Sequence, residues 1–280
     1  MIAKADMEGG VRFAFGANWM HFLSTLDESR ILAAQASLRE MLQLDTLQGL
    51  RFLDVGSGSG LMSLAARHLG ATVHSFDFDP QSVACTQELK RRYSLGDTRW
   101  CIEQGSVLDA HYLRKLGTFD VVYSWGVLHH TGAMWLGIEN AMRCVSDSTG
   151  ILFLAIYNDQ GTRSHIWWLI KRCYNALPTF CSGPFAAVAW LLTHVLSLVK
   201  HTLRLRPKVA LAPLLSDRHE RGMNAKHDWI DWIGGFPYEF ATFESLQAYV
   251  ESRGFTLINA RRTTGWGCNE FVFRRAACVE

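Results

Sequence analysis

The stretch DVGSGSG at residues 54–60 decides the fold of this chain. It follows a short apolar run at 51–55 and precedes a helix-like stretch at 60–69. Glycine has no Cβ atom, so the backbone can turn sharply here and a ligand can touch it. A strand that runs through a glycine-rich turn into a helix is the opening unit of many α/β proteins.

Strand-like and helix-like patterns alternate beyond this turn. Apolar runs predict strands at 51–55, 71–77, 99–103, 119–124 and 150–157, and helical spacing predicts helices at 60–69, 81–93 and 134–146. Such alternation with short connections implies a mostly parallel sheet with helices on both faces. Ligands on these sheets bind outside the carboxyl ends of the strands.

The alternation stops after residue 157 and resumes at Thr242, which suits a helix N-cap. Two further strands are predicted at 255–262 and 269–274. The loop between them is too short for a parallel crossover, so the last strand must be antiparallel to its neighbour. The sequence therefore predicts an α/β fold with a doubly wound, mostly parallel seven-stranded sheet whose last strand is antiparallel.

Four segments follow from these patterns. Residues 1–49 form a helical cap, with helical periodicity over 18–43, and residues 50–157 form the main part of the sheet. Residues 158–241 form an aromatic-rich helical insertion, and residues 242–280 complete the sheet. The insertion is expected to act as a lid.

The amino-acid composition limits the classes of protein to which this chain can belong. The 280 residues are 49% hydrophobic and 19% charged, which is typical of a globular chain. A formal net charge of +2 gives no general attraction for nucleic acid. The seven cysteines form no CxxC pair and no metal-ligand spacing, so no metal is expected. The first residues lack the apolar core of a signal peptide, which favours a cytoplasmic protein with free thiols.

A second motif stands at the end of the second predicted strand. Asp77 lies 21 residues beyond Gly56, and an ionised carboxylate there can accept both hydroxyl protons of a ribose. Phe78 is then placed to pack on an adenine face. The G-x-G-x-G spacing differs from the dinucleotide pattern G-x-G-x-x-G. Asp54, just before the turn, would repel a pyrophosphate and attract an ammonium group.

Taken together, DVGSGSG, SFDFDP, EQGSVLD (103–109) and FDVVYSWGVLHHTG (119–132) resemble the successive motifs of class I S-adenosylmethionine (SAM)-dependent methyltransferases. The resemblance covers residues 50–157 by motif and 242–275 by topology. It implies a Rossmann-like fold, SAM as cofactor and S-adenosylhomocysteine as product. The cofactor-binding residues that it implies are Trp19, Asp54, Gly56, Ser57, Gly58, Gly60, Asp77, Phe78, Gly105, Ser106, Val107, Ser124 and Trp125.

The same resemblance assigns a role to each part of the site. The glycine turn holds the methionine part and the ribose, and the loop after the third strand holds adenine. Ser106 stands where many relatives carry an aspartate, so the resemblance implies a contact that is weaker or is made by the backbone of Val107. Ser124 and Trp125 would line the methionine end, and Phe15, Asn18 and Trp19 would close over the cofactor.

Methyl transfer is an in-line displacement, which needs aligned reactants and exclusion of water, with a general base for some acceptors. The candidate catalytic residues are His129, His130, Tyr157, Asp159 and His227, with His165, Asp228 and Glu239 nearby in the same segments. Each has a structural alternative. A histidine can cap a loop, the Tyr157–Asp159 segment suits a turn, and adjacent His and Asp residues need not pair.

The insertion carries five tryptophans, at 167, 168, 190, 229 and 232. They fit the packing of a helical lid, or an apolar or aromatic acceptor cavity. Residues 183–199 carry no formal charge, but seventeen helical residues span only about 25 Å, less than a bilayer core. A basic stretch follows, so peripheral membrane contact through 183–208 is a hypothesis.

The leading interpretation is a methyltransferase for a small, hydrophobic or aromatic molecule, with residues 158–241 as its lid. Three alternatives stay open: a nucleic-acid methyltransferase, a SAM-utilising cyclase or lyase, and a SAM-binding regulatory protein. The sequence leaves the acceptor, the acceptor atom and the oligomeric state open.

Overall fold

The computed structural model describes residues 19, 22–24, 26–147, 149–203, 229 and 232–276. The helices are α1 (Glu28–Leu42), α2 (Leu61–His68), α3 (Pro80–Tyr93), α4 (Ala110–Leu116), α5 (Met134–Arg143), α6 (Thr162–Ala176), α7 (Thr179–Leu203) and α8 (Phe243–Glu251). The strands are β1 (Arg51–Val55), β2 (Thr72–Asp77), β3 (Trp100–Gln104), β4 (Val121–Trp125), β5 (Ile151–Tyr157), β6 (Phe255–Arg261) and β7 (Cys268–Arg275). A short 3-10 helix (Leu128–His130) follows β4. The candidates His227 and Asp228, with Phe15 and Asn18, lie outside the described residues.

The strands form one seven-stranded sheet in the order β3-β2-β1-β4-β5-β7-β6. Strands β1 to β5 pair in parallel, and β7 runs antiparallel between β5 and β6. The predicted α/β sheet and its antiparallel last strand are confirmed. The carboxyl ends of β1, β2, β4 and β5 therefore lie along one edge of the sheet.

Apolar side chains cover both faces of the sheet. One cluster joins Phe52, Val73 and Tyr123 of the sheet to helices α1, α2 and α3. The other joins Leu53 and Val122 to α4, α5 and α8. This doubly wound packing leaves the carboxyl edge of the strands to loops, as the alternation predicted.

Side-chain caps explain where several helices begin. The Asp27 carboxylate accepts the Arg30 N–H and starts α1. Residues 19 and 22–24 are also helical, within the range predicted from residue 18, but residues 26 and 27 interrupt the helix before α1. The Thr242 hydroxyl accepts the Ser245 N–H and starts α8, as predicted. Helix α4 was not predicted. It has only seven residues, Asp109 caps it, and Leu113 is its one fully buried side chain, so it gives little periodic signal.

Helices α6 and α7 occupy the insertion between β5 and α8. The stretch 183–199 lies within the 25 residues of α7. Among the described helices, none is long and apolar enough to cross a membrane. Backbone hydrogen bonds from Ala241 N to Tyr157 O, and from Asp159 N to Ala241 O, bring the two ends of the insertion together.

Candidate functional site

The glycine turn lies between the ends of β1, β2 and β4. Gly56 N and Ser57 N donate to Phe76 O at 2.9 and 3.1 Å, which ties the turn to β2. Gly56 has a φ of 80°, and a Cβ atom built on it would lie 2.4 Å from Val127 Cγ1. Glycine is therefore required here, because the loop after β4 packs directly on the turn.

Asp77 lies at the end of β2, where the sequence predicted it. Its Oδ2 accepts the Gly58 N–H and its Oδ1 accepts the Asp79 N–H, both at 2.9 Å. Burial raises the pKa of this carboxyl, and hydrogen bonds from the backbone N–H groups of Gly58, Asp79 and Phe78 oppose that shift. A carboxylate offers about four acceptor positions, so these bonds do not use all of them. Phe78, next to it, is 56% exposed.

Asp54 lies under the turn and is 2% exposed. Its carboxylate accepts the Ser63 hydroxyl at 2.5 Å, Ser63 and Ser75 share a hydrogen bond of 2.6 Å, and the Trp100 indole N–H donates to Ser75 at 2.8 Å. Burial raises the pKa of Asp54 to about 7, the Ser63 bond lowers it, and repulsion by Asp77 adds to the rise. No local sequence pattern indicated these hydrogen bonds.

The loop after β3 joins the site through Gly105, whose N–H donates to Asp77 O at 3.0 Å. A Cβ atom built on Gly105 would lie 2.4 Å from the Tyr112 ring. The Tyr112 hydroxyl in turn donates to Glu103 Oε1 at 2.7 Å. Helix α4, which carries Tyr112, therefore sets the position of the predicted adenine loop.

The two other residues predicted for adenine make contacts within the protein. The Ser106 hydroxyl accepts the Leu108 N–H at 3.2 Å, so it shapes the turn that leads to α4. Val107 is buried, and its carbonyl accepts the Asn140 side-chain N–H at 2.9 Å. Their contact with adenine stays a prediction.

At the end of β4, the two residues predicted to line the methionine end of SAM have side chains that contact different strands. The Ser124 hydroxyl donates to Val55 O at 3.1 Å and is fully buried, which joins β4 to the end of β1. The Trp125 indole donates to Glu270 of β7 at 2.8 Å. Both side chains position strands, and their contact with a cofactor stays a prediction.

Trp19 lies on the glycine turn. Its indole ring would lie 3.1 Å from a Cβ atom built on Gly58, and it packs edge-on against Phe22 with 6.2 Å between ring centroids. The structure thus brings Trp19, which is distant in sequence, to the turn that it was predicted to cover.

The two histidines after β4 pack against the end of β5. The His129 ring lies 3.8 Å from the Tyr157 ring, and its Nδ1 accepts the Tyr157 N–H at 3.3 Å. His130 Nδ1 donates to the Pro237 carbonyl at 2.6 Å. The proton of neutral His129 is therefore on Nε2, whereas Nε2 of neutral His130 is unprotonated.

Burial keeps both histidines neutral. It lowers the pKa of His129 well below its ordinary value and the pKa of His130 to about 3. The Lys171 side chain, which is also buried, lowers both pKa values further. Neither ring is positively charged near neutral pH.

Three other candidates have structural contacts. Asp159 Oδ1 accepts the Gly161 N–H at 2.7 Å and forms the turn before α6. His165 Nδ1 donates to the Gly161 carbonyl at 3.1 Å. Glu239 accepts the Met134 N–H with both oxygens, at 3.0 and 3.1 Å, and so caps α5. The observed contacts of these three residues are those of turns and helix ends, and their part in catalysis stays a prediction.

Aromatic residues of the insertion pack over the end of β5. This aromatic cluster comprises Tyr157, Trp167, Trp168, Trp229, Trp232, Phe236, Tyr238, Phe240 and Trp266. Trp232 stacks on Trp266 with 5.5 Å between ring centroids, and Trp167 meets both edge-on. Lys171 Nζ lies 4.3 Å from the centre of the Trp232 ring.

Sequence reasoning missed Lys171 and Trp266. Lys171 stands four residues after Trp167 on α6, a spacing that places both on one helix face and could have identified it. Trp266 comes from the β6–β7 loop, and no local pattern brings it to α6. The aromatic cluster therefore combines residues of the insertion with Trp266 from the β6–β7 loop.

A group of potential metal ligands lies on β2 and β3. Single ligand atoms of His74, Cys101 and Glu103 lie within 4.8 Å of one another. The His74 Nε2 and Glu103 Oε1 atoms are 3.0 Å apart, and Tyr112 donates to the same carboxylate oxygen. These hydrogen bonds explain why His74 and Glu103 lie together.

Comparisons with known proteins agree with this geometry. Residues 53–152 match the family model described as "Methyltransferase domain". Over these residues, about a third of the chain, the sequence is similar to methyltransferase domains. Its fold is similar to that of magnesium protoporphyrin IX methyltransferase (ChlM) from Synechocystis PCC 6803 with bound S-adenosylhomocysteine, at a TM-score of 0.52 and 14% identity over 88% of this chain and 82% of that one. It is also similar to PKMT2 from Rickettsia typhi in complex with AdoHcy, at a TM-score of 0.58 and 10% identity over 88% and 52%.

Curated relatives of the methyltransferase domain are ribosomal protein L11 methyltransferases. The Methylococcus capsulatus enzyme is 42% identical over 71 residues, which are 25% of this chain and 24% of that protein. The Helicobacter hepaticus enzyme is 33% identical over 99 residues, 35% of this chain and 26% of that protein. The matches thus span about a quarter of each relative.

Proposed function

We propose that this chain transfers the methyl group of SAM to a small hydrophobic or aromatic molecule. One observation carries the proposal: the loop after β4 joins the cofactor turn to the aromatic cluster. Val127 of this loop packs on Gly56, and two residues later His129 stacks on Tyr157. The cofactor turn and the aromatic cluster therefore face the same edge of the sheet, next to one another.

The residues of the turn fit SAM. Asp77 can accept a ribose hydroxyl in addition to its backbone hydrogen bonds. Asp54, with a pKa of about 7, can supply negative charge toward the ammonium group of the methionine part. Trp19 covers the turn and would limit access of water. Bound SAM supplies an electrophilic methyl group on its sulfonium.

On the acceptor side, the aromatic cluster offers flat apolar surfaces on which a ring or an acyl chain can lie. Unprotonated Nε2 of His130 can accept a hydrogen bond, but a pKa of about 3 makes it a weak base. We therefore infer that alignment of the acceptor and exclusion of water contribute more than proton removal. Tyr157 and Asp159, beside the predicted methyl position, and His227 remain candidates for binding a polar group of the acceptor.

The cofactor is tested first, by calorimetric titration of SAM and S-adenosylhomocysteine, with NAD as control. We expect micromolar binding of both sulfur compounds (about 8 kcal/mol) and no NAD binding. A protein shown to be folded that binds NAD instead would contradict the proposal.

The reaction is tested next, with methyl-labelled SAM and a screen of aromatic and lipid-like alcohols and acids, ribosomal protein L11 and RNA. Label in a small acceptor, with S-adenosylhomocysteine as co-product, supports the proposal. Label in L11 or RNA alone would favour a protein or nucleic-acid acceptor. Methylthioadenosine as product would favour a cyclase or lyase, and SAM binding without any turnover would favour a regulatory protein.

A further inference from the structure

Among the described residues, helix α7 contacts the rest of the chain through the side that carries Phe185 and Ala186. Ala186 is buried, and its carbonyl accepts the Trp229 indole N–H at 2.9 Å. The Phe185 ring lies 6.3 Å from the Tyr174 ring of α6. These contacts leave the opposite side of α7 facing outward.

That outward side is apolar. Of the sixteen large hydrophobic side chains exposed among the described residues, eight lie on α7: Phe180, Val188, Trp190, Leu191, Leu192, Val195, Leu198 and Val199. Positions 188, 191, 195 and 198 are spaced by three and four residues, so they form one continuous stripe. Exposed apolar patches on this scale mark sites of association.

Helix α6, which contacts α7 through Tyr174 and Phe185, also exposes apolar side chains. Ile166 and Leu169 are 52% and 56% exposed. Arg163 and Arg172 are exposed on the same helix at positions three residues away from them. We call the exposed sides of α6 and α7 together the α6–α7 surface.

All charged residues in this region are basic. The chain has 26 acidic residues, yet residues 162–203 contain none, while they include Arg163, Arg172 and Lys200. The sequence continues after α7 with RLRPK at 204–208. An apolar stripe with exclusively basic charges matches the interface of a bilayer that carries anionic headgroups.

We propose that the α6–α7 surface binds an anionic phospholipid bilayer, with α7 lying parallel to the membrane plane. The helix must lie flat because its other side is packed against Trp229 and α6. A second copy of this chain is a poorer occupant, because it would bring two acid-free basic surfaces together. This proposal does not depend on the proposed methyl transfer.

The test is flotation of the full chain with vesicles of phosphatidylcholine alone, or with about one third phosphatidylglycerol. We expect at least about tenfold stronger binding to the anionic vesicles, weakened by salt. The double variant Leu191→Glu/Val195→Glu should lose this binding. The control, Leu32→Glu/Leu95→Glu, introduces the same charge at two leucines elsewhere that are at least as exposed, and should keep it.

Circular dichroism and SAM titration of each variant show whether the fold is retained. Arg163→Gln/Arg172→Gln should reduce the preference for anionic vesicles while leaving binding to neutral ones unchanged. The proposal is overturned if the wild-type chain does not float, or if both double-glutamate variants lose binding equally. It is also overturned if light scattering shows a dimer that Leu191→Glu/Val195→Glu dissociates and vesicles never bind.

Discussion

Asp77 and Asp54 lie at the carboxyl ends of neighbouring strands but have different hydrogen-bond partners. Asp77 accepts backbone N–H groups, whereas Asp54 accepts a serine hydroxyl beneath the turn. Spacing alone predicted the position of both residues. It could not predict the burial of Asp54, because Ser63 and Ser75 reach it only after α2 and β2 have packed.

The role of Asp77 leads to a prediction for binding. Asp77→Ala should weaken SAM affinity by about 1.5–3 kcal/mol, roughly ten- to hundredfold, because the ribose hydroxyls lose a charged acceptor. The measurement is calorimetric titration. Asp27→Ala, which removes the exposed N-cap of α1, is the control and should leave affinity unchanged. Equal affinities in wild type and Asp77→Ala would refute the placement of the ribose.

The raised pKa of Asp54 leads to a prediction for stability. Its folded-state pKa of about 7 lies above the ordinary 3.8, so the protonated form favours folding. That contribution is complete below 3.8 and is lost as pH rises through about 7. Asp54→Asn should therefore gain stability relative to wild type over this window, by up to about 1.4 kcal/mol per pH unit.

Urea unfolding of both proteins across this pH range measures the difference, with the exposed Asp45→Asn as control. A pH-independent difference for Asp54→Asn would show that Asp54 is already ionised in the fold. In the same variant, SAM affinity should no longer rise with pH, because Asp54 cannot acquire the charge that attracts the ammonium group.

At the scale of elements, periodicity predicted the long helices and all seven strands, because each buries a regular apolar face. It missed α4, although this helix positions the loop after β3. The contact between Gly105 and Tyr112 explains why a short helix matters: its ring lies where a side chain on Gly105 would have to be. Such a contact has no local sequence signal.

This contact predicts a coupled effect of two substitutions. Gly105→Ala should cost about 1–3 kcal/mol in unfolding free energy, because its methyl group overlaps the Tyr112 ring. In a Tyr112→Leu background the same substitution should cost clearly less, since the ring is gone. Chemical denaturation of the four proteins gives the coupling energy, and additive costs would show that the loop and α4 are independent.

At the scale of the whole molecule, the two halves of the site differ in how far the sequence could predict them. The cofactor half follows from contiguous motifs in β1 to β4. The acceptor half joins Tyr157, Trp232 and Trp266, which come from β5, the insertion and the β6–β7 loop. Only the folded chain brings these three rings together, so the sequence predicted an aromatic lid but not its composition.

Because the two halves come from different elements, a substitution in the aromatic cluster should reduce acceptor turnover without reducing SAM affinity. Trp232→Ala removes a ring that stacks on Trp266 and packs edge-on against Tyr157. It should lower kcat/KM for an aromatic acceptor by up to about tenfold, the worth of a lost aromatic pair. SAM affinity should stay unchanged, because the ring belongs to the acceptor-side cluster and not to the glycine turn. Trp232→Phe should restore most of the activity. A variant that loses SAM binding together with acceptor turnover would mean that the aromatic cluster supports the cofactor and that the acceptor binds elsewhere.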